Sequence, residues 1–182
     1  MTEDEIATEN AAIAKDYKEL LKISYRTLSA KDKKLIRKAF EVALDAHSNQ
    51  RRKSGEAYIF HPIAVAKIVA SEIGLDANSI AAALLHDVVE DCARYTIDDI
   101  QQLFGETVAR IVNGLTKISN IKKDLNVSMQ AENFRRMLLT LHDDIRVIII
   151  KIADRLHNMQ TIHSMREEKQ LKIASETLYI YA

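Results

Sequence analysis

One cysteine, one proline, four glycines and no tryptophan are spread over 182 residues. The lone Cys92 excludes an intrachain disulfide framework and is compatible with a reducing cytoplasm. Scarcity of proline and glycine leaves long stretches without a breaker, so helices can run on. Net charge is missing too: 26 Lys and Arg balance 26 Asp and Glu. That balance excludes a general nucleic-acid binder, whose affinity rests on neutralising phosphates. Any phosphate recognition must be local. No apolar run approaches the roughly 20 residues of a bilayer span, and the acidic start "MTEDEIATEN" lacks the layout of a secretory signal. At 47% hydrophobic and 29% charged, the remainder has the composition of one globular domain.

Helical spacing recurs almost throughout. Residues 3–23 form an amphipathic helix through Ile6, Ile13, Tyr17, Leu20 and Leu21, and "SAKD" (29–32) reads as a capping box opening a second. After the charged loop "SNQRRKSGEAYIF", Pro62 is expected at the first position of a helix that Gly74 ends. Asn78 is the expected cap of the next helix; Thr96 with Asp99 marks another start and "LFG" (103–105) another stop. Helices are predicted over "ETVARIVNGLTKI", "AENFRRMLLTLH" and 144–159, with a polar stretch at 119–130. The run Val147–Ile150 could be a strand by composition, but Ile152, Leu156 and Met159 continue it at helical spacing. No internal repeat is present. The expected class is all-α.

The stretch "ALLHDVVEDC" (83–92) carries the chemistry. Wound as one helix at about 100° per residue, it places His86, Asp87, Glu90 and Asp91 on one side. Ala81, Leu84, Leu85, Val88 and Val89 take the other. Three carboxylates in two turns repel one another unless a cation or a set of donors compensates. Two further places offer metal donors: His61 just before Pro62, and Asp154 where the apolar helix of "KIADRLHNM" turns polar. Two imidazoles and two carboxylates suit manganese, iron or zinc better than calcium. Glu90 and Asp91, one turn on, are placed to orient or deprotonate a water. Arg51, Arg52 and Lys53 precede the turn-like Ser54-Gly55, and guanidinium groups can fork onto phosphate or stack on a base. His157 is open between ligand and partner of a ligand, whereas His47, His142 and His163 read as structural.

Taken in order, "RKSGEAYIFHP", "AALLHDVVED" and "KIADRLHNM", with "NGLTKIS" between the last two, resemble the hydrolase domain of the RelA/SpoT family of (p)ppGpp synthetase/hydrolases. That family is a narrow group within the HD-domain metal phosphohydrolases. The resemblance runs from about residue 29 to the end. It implies an HD-domain helical bundle that hydrolyses the 3′-diphosphate of ppGpp or pppGpp, giving GDP or GTP and pyrophosphate, in stringent-response control. One manganese ion is implied, held by His61, His86, Asp87 and Asp154, with Glu90 and Asp91 activating the attacking water. Arg52 matches a guanine-stacking residue with Lys53 and Ser54 beside it, Asn158 a ribose contact and Thr161 a further nucleotide contact. Ala57 and Gln160 depart from the family pattern, outside the metal set.

The expected organisation is an N-terminal helical extension over 1–28 and a hydrolase domain over 29–182. The resemblance further implies a cytoplasmic piece of a longer bifunctional chain, with synthetase and regulatory domains beyond "YIYA", no membrane contact and no direct nucleic-acid binding. Two alternatives stay open: an HD phosphohydrolase acting on another nucleotide, and a regulatory module that binds the alarmone without turnover.

Overall fold

Two capping boxes set the frame. Ser29 and Asp32 satisfy each other's backbone at the start of one helix, and Thr96 and Asp99 do the same at another. The computed structural model describes residues 2–24, 28–123 and 144–181. In chain order its helices are α1 (Glu3–Ser24), α2 (Ala30–Ala46), α3 (Phe60–Ile68), α4 (Ala77–Leu84), α5 (Val88–Asp91), α6 (Ile97–Phe104), α7 (Glu106–Lys123), α8 (Ile145–Gln160) and α9 (Glu167–Tyr181). Among the described residues the sole strand-like feature is one antiparallel bridge between Arg51 and Ala57. The run Val147–Ile150 lies inside α8, so the strand alternative falls. The helix expected over 131–142, His142 with it, lies outside the described residues. No described helix is long and apolar enough to cross a membrane.

Three local expectations are corrected. Pro62 is the third residue of α3, not the first, because Phe60 and His61 already belong to that helix. Asp76, not Asn78, caps α4: its carboxylate accepts from the Ser79 backbone N–H at 3.0 Å, and Asn78 lies inside the first turn. The third correction matters most. The stretch 83–92 is not one helix. Leu85 ends α4, and α5 starts only at Val88.

The core forms around α4, where Ala81, Ala82, Ala83 and Leu84 are all fully buried. Its small side chains let α2, α3 and α7 approach closely. The almost wholly apolar α3 buries Ile63, Val65 and Ala66 and packs in turn against α8. Helix α1 joins the same apolar cluster through Ile13 and Leu20, and Lys67 on α3 ties it down through Asp16 (3.0 Å) and Glu19 (2.9 Å).

Gly114 marks where α7 crosses α8. A Cβ there would meet Val147 Cγ2 at 2.7 Å. Gly114→Ala is expected to destabilise the fold by about 1–3 kcal/mol, although alanine is the better helix former by about 1 kcal/mol. Denaturant unfolding measures this; an unchanged or raised stability would show that Val147 moves aside freely.

Candidate metal centre and nucleotide pocket

The break between α4 and α5 is the local device that builds the site. On a regular helix His86 and Asp87 would diverge by about 100°. Here they occupy the turn, and His86 Nε2 comes within 2.9 Å of Asp87 Oδ2. Asp87 stands at the N-cap of α5, a position where aspartate commonly caps, yet it makes no side-chain cap bond. Its carboxylate is engaged elsewhere: Tyr58 donates its hydroxyl to Oδ2 at 2.7 Å. From α3, His61 Nε2 lies 3.9 Å from Asp87 Oδ2 and 3.2 Å from Asp154 Oδ1 on α8. His86 Nε2 is 4.0 Å from the same Asp154 oxygen. Donor atoms of His61, His86 and Asp154 all fall within 4.8 Å of one another.

Hydrogen bonds behind the rings set the tautomers. His86 Nδ1 is 2.7 Å from the Ala83 carbonyl, which can only accept, so Nδ1 carries the hydrogen. His157 Nδ1 faces Arg52 Nη1 at 3.3 Å and His61 Nδ1 at 2.8 Å. A guanidinium can only donate, so His157 Nδ1 accepts and His61 Nδ1 donates to it. Both His61 and His86 therefore aim Nε2 at the same point. His157 stands behind His61, the arrangement of a partner that fixes a metal-binding ring. His86 Nε2 is buried and makes no well-aligned hydrogen bond although Asp87 Oδ2 is 2.9 Å away, an arrangement that a cation bound between them would satisfy. Asp154 is oriented on both sides. Asn158 donates to Oδ1 at 2.7 Å, and the buried Lys151 ammonium sits 3.4 Å from Oδ2. The residues fit a divalent ion.

Electrostatics agree with that fit. Burial disfavours charge on His86, but the carboxylates of Asp87 and Asp154 outweigh it and hold the imidazole pKa up at about 9. Against burial, His86 keeps Asp87 ionised, and His61 and Lys151 keep Asp154 ionised. Burial depresses His61 and takes His157 down to about 4, so both stay neutral at pH 7. His86 is thus protonated at pH 7 without metal and must lose that proton to ligate. Ion loading at pH 7 is expected to release about one proton, with affinity rising about tenfold per pH unit towards pH 9. Calorimetric titration in two buffers of different ionisation heat reads the proton count; an affinity flat between about pH 6 and 8 would refute it.

His61, Asp87 and Asp154 of the cluster line a cavity of about 700 Å³. Glu90 and Asp91 line it from α5, Arg51, Arg52 and Lys53 from the loop before α3, and Asn158 from α8. Arg52 reaches further than its place in the sequence suggests: Nη2 donates to Asn158 Oδ1 and Thr161 Oγ1, both at 3.2 Å. Ser54 sits exposed at the tip of the turn and does not line the cavity, and Thr161 touches it only through Arg52. Six lining residues were missed in the sequence: Tyr58, Lys151, Ser164, Met165, Lys169 and Lys172. Lys151 left a signal, a charge three residues before Asp154 on an apolar helix face. Tyr58 left none. His47, read as structural, is buried with Nδ1 at 2.7 Å from Gln50 Oε1 and its ring against Tyr58.

The HD-domain family model matches residues 39–182. The chain belongs to the HD-domain family. Over 149 residues, 82% of the chain, it is 52% identical to the bifunctional (p)ppGpp synthase/hydrolase SpoT of Escherichia coli K12, and that match covers 21% of the relative. Over 147 residues, 81% of the chain, it is 50% identical to the guanosine-3′,5′-bis(diphosphate) 3′-pyrophosphohydrolase of Vibrio cholerae, again covering 21% of the relative. The chain thus spans about a fifth of the length of the curated relatives it matches. A solved structure, described as a metazoan ortholog of SpoT that hydrolyses ppGpp and plays a role in starvation responses, superposes with a TM-score of 0.68 at 27% identity, covering 84% of each chain. The all-α HD bundle expected from the sequence is the fold found.

Proposed function

We propose that this HD domain hydrolyses the 3′-diphosphate of guanosine tetra- and pentaphosphate in stringent-response control, in the cytoplasm, as a region of a longer chain. The observation that carries the reading is the convergence of the His61 and His86 Nε2 atoms with Asp87 and Asp154 beside a cavity that Arg51, Arg52, Lys53 and Lys151 also line. His61, His86, Asp87 and Asp154 would hold one ion, and the mixed nitrogen and oxygen donors suit manganese. When bound, the ion polarises the phosphoryl group and makes water more acidic. Glu90 and Asp91 accept the proton of the water that attacks the phosphorus attached to the 3′-oxygen. The 3′-oxygen–phosphorus bond breaks, that oxygen ends as a hydroxyl, and GDP or GTP leaves with pyrophosphate. Arg52, Lys53 and Asn158 orient the nucleotide, Thr161 acts by holding the Arg52 guanidinium, and Ser54 shapes the turn that presents Arg52 and Lys53. Lys151 holds Asp154 and adds positive charge where the phosphates arrive.

The test is incubation of the 182-residue chain with guanosine tetraphosphate and manganese, with and without chelator. GDP and pyrophosphate appearing only with metal support the reading. Metal-dependent binding without turnover would instead mark a regulatory module, and neither would point to another nucleotide.

A further inference from the structure

A second cavity, of about 880 Å³, opens between α1 and α2 and shares no lining residue with the nucleotide pocket. Ile13, Tyr17 and Leu21 from α1 and Phe40 and Leu44 from α2 make it mainly apolar. Within that lining the Tyr17 and Phe40 rings stack, with centroids 4.1 Å apart and planes 12° off parallel. The Tyr17 hydroxyl is buried and, among the described residues, meets no hydrogen-bond partner, a desolvation cost that the fold does not offset. Charge around the groove is one-sided. Lys18 and Lys22 from α1 and Lys33, Lys34 and Arg37 from α2 line it against a single carboxylate, Glu41, which Arg37 already holds at 2.9 Å.

The complement of this groove lies on the same chain. The first turn of α1 carries Glu3, Asp4 and Glu5 and leads to Ile6, which is 45% exposed. Residues 2–12 are all exposed except Glu9, which is half-buried and paired with Arg51 at 2.8 Å. Three turns of helix without packing are marginal in water. Glu3, Ile6 and Asn10 fall on the same face of α1 as Tyr17 and Leu21, at spacings of three, four and seven residues. An acidic, apolar stripe thus runs in line with the basic, apolar groove.

We propose that the groove receives the first turns of α1 from a second copy of the chain, in an antiparallel two-fold dimer. An axis passing between Ile13 and Ala14 sets Ile6 opposite Leu21 of the partner subunit, and Asn10 opposite Tyr17 of the partner subunit. The Asn10 carboxamide then supplies the hydrogen-bond partner that the Tyr17 hydroxyl lacks, and the acidic first turn lies beside the cations of the groove. Each contact occurs twice, because a two-fold interface presents the same patch on both copies. An acidic helix of another protein would match the groove's charge alone. The second copy is favoured because groove and occupant match along one continuous helix face in a single register.

Sedimentation velocity of the 182-residue chain tests this over about 1–200 µM, the range of small, weak interfaces. Wild type should pass from monomer to dimer across that range, and less so at high salt. Glu3→Lys/Asp4→Lys should weaken dimerisation at least about a hundredfold by setting like charges against each other, and so should Lys18→Glu/Lys22→Glu. Association should recover when the two variants are mixed, and again in one chain that carries all four substitutions. Ile6→Glu, at an exposed position, should abolish the dimer without touching either charge set. Tyr17→Phe should weaken the dimer while thermal unfolding of the dilute monomer shows its stability unchanged or raised. A wild type that stays monomeric throughout leaves the groove to a different acidic partner and overturns the proposal. A dimer that survives both charge reversals overturns it too, as does a mixture of the reversed variants that fails to associate.

Discussion

Asp87→Ala is expected to abolish turnover and weaken divalent-ion binding more than about a hundredfold, since losing even an outer partner of a metal ligand costs about ten- to a hundredfold. The geometry explains why the loss is so complete. Asp87 Oδ2 lies 2.9 Å from His86 Nε2 and 3.9 Å from His61 Nε2, so one oxygen serves both imidazoles. Its charge also raises the pKa of His86. Without it His86 keeps its neighbour Asp154 at 4.0 Å but loses the nearer anion. Alanine further leaves the largely buried Tyr58 hydroxyl without the acceptor it reaches at 2.7 Å, at a cost of about 1–3 kcal/mol. Asp87→Asn separates the two effects. It can still accept from Tyr58, so stability should hold while metal binding is lost. Thermal unfolding with and without metal reads both, and metal stabilisation that survives in either variant would remove Asp87 from the ligand set.

Asp91→Ala should do the reverse, retaining the ion within about threefold while losing about a hundredfold to ten-thousandfold in rate, the range for a general base. Asp91 is the last residue of α5, past the break that turns His86 and Asp87 inward, and it is exposed at the cavity wall. Gln50 donates to its backbone carbonyl at 3.2 Å and so anchors the end of α5 to the loop that leads to Arg52. The proposed role of Asp91 is to take the proton of the attacking water, not to hold the ion. Metal affinity and single-turnover rate measured together on both aspartate variants make the distinction. Equal metal loss in the two would refute the division between holding the ion and activating water.

The contrast between these two aspartates comes from folding and not from their spacing. In the sequence His86, Asp87, Glu90 and Asp91 share one helical face with equal standing. The turn at Leu85–Asp87 splits them into a pair that points inward and a pair that flanks it. At that turn the Asp87 carboxylate accepts from Tyr58, which comes 29 residues earlier, and does not cap the start of its own helix.

By itself the sequence determined the all-α class, most helix boundaries and the candidate donor residues. Those are local properties. Scarce breakers, apolar spacing at 3.6 residues and the Ser29/Asp32 and Thr96/Asp99 boxes act within a few residues of chain. Tertiary structure alone decided the rest. It put His157 behind His61, 96 residues away, and brought Arg52 to Asn158 across 106. It set Tyr58 on Asp87, and it brought Lys169 and Lys172 of the last helix to the cavity that Lys53 also lines. Which polar atom meets which depends on how helices distant in sequence cross. That crossing is fixed by close approach at small residues such as Ala82 and Gly114, where side-chain volume rather than periodicity sets the distance.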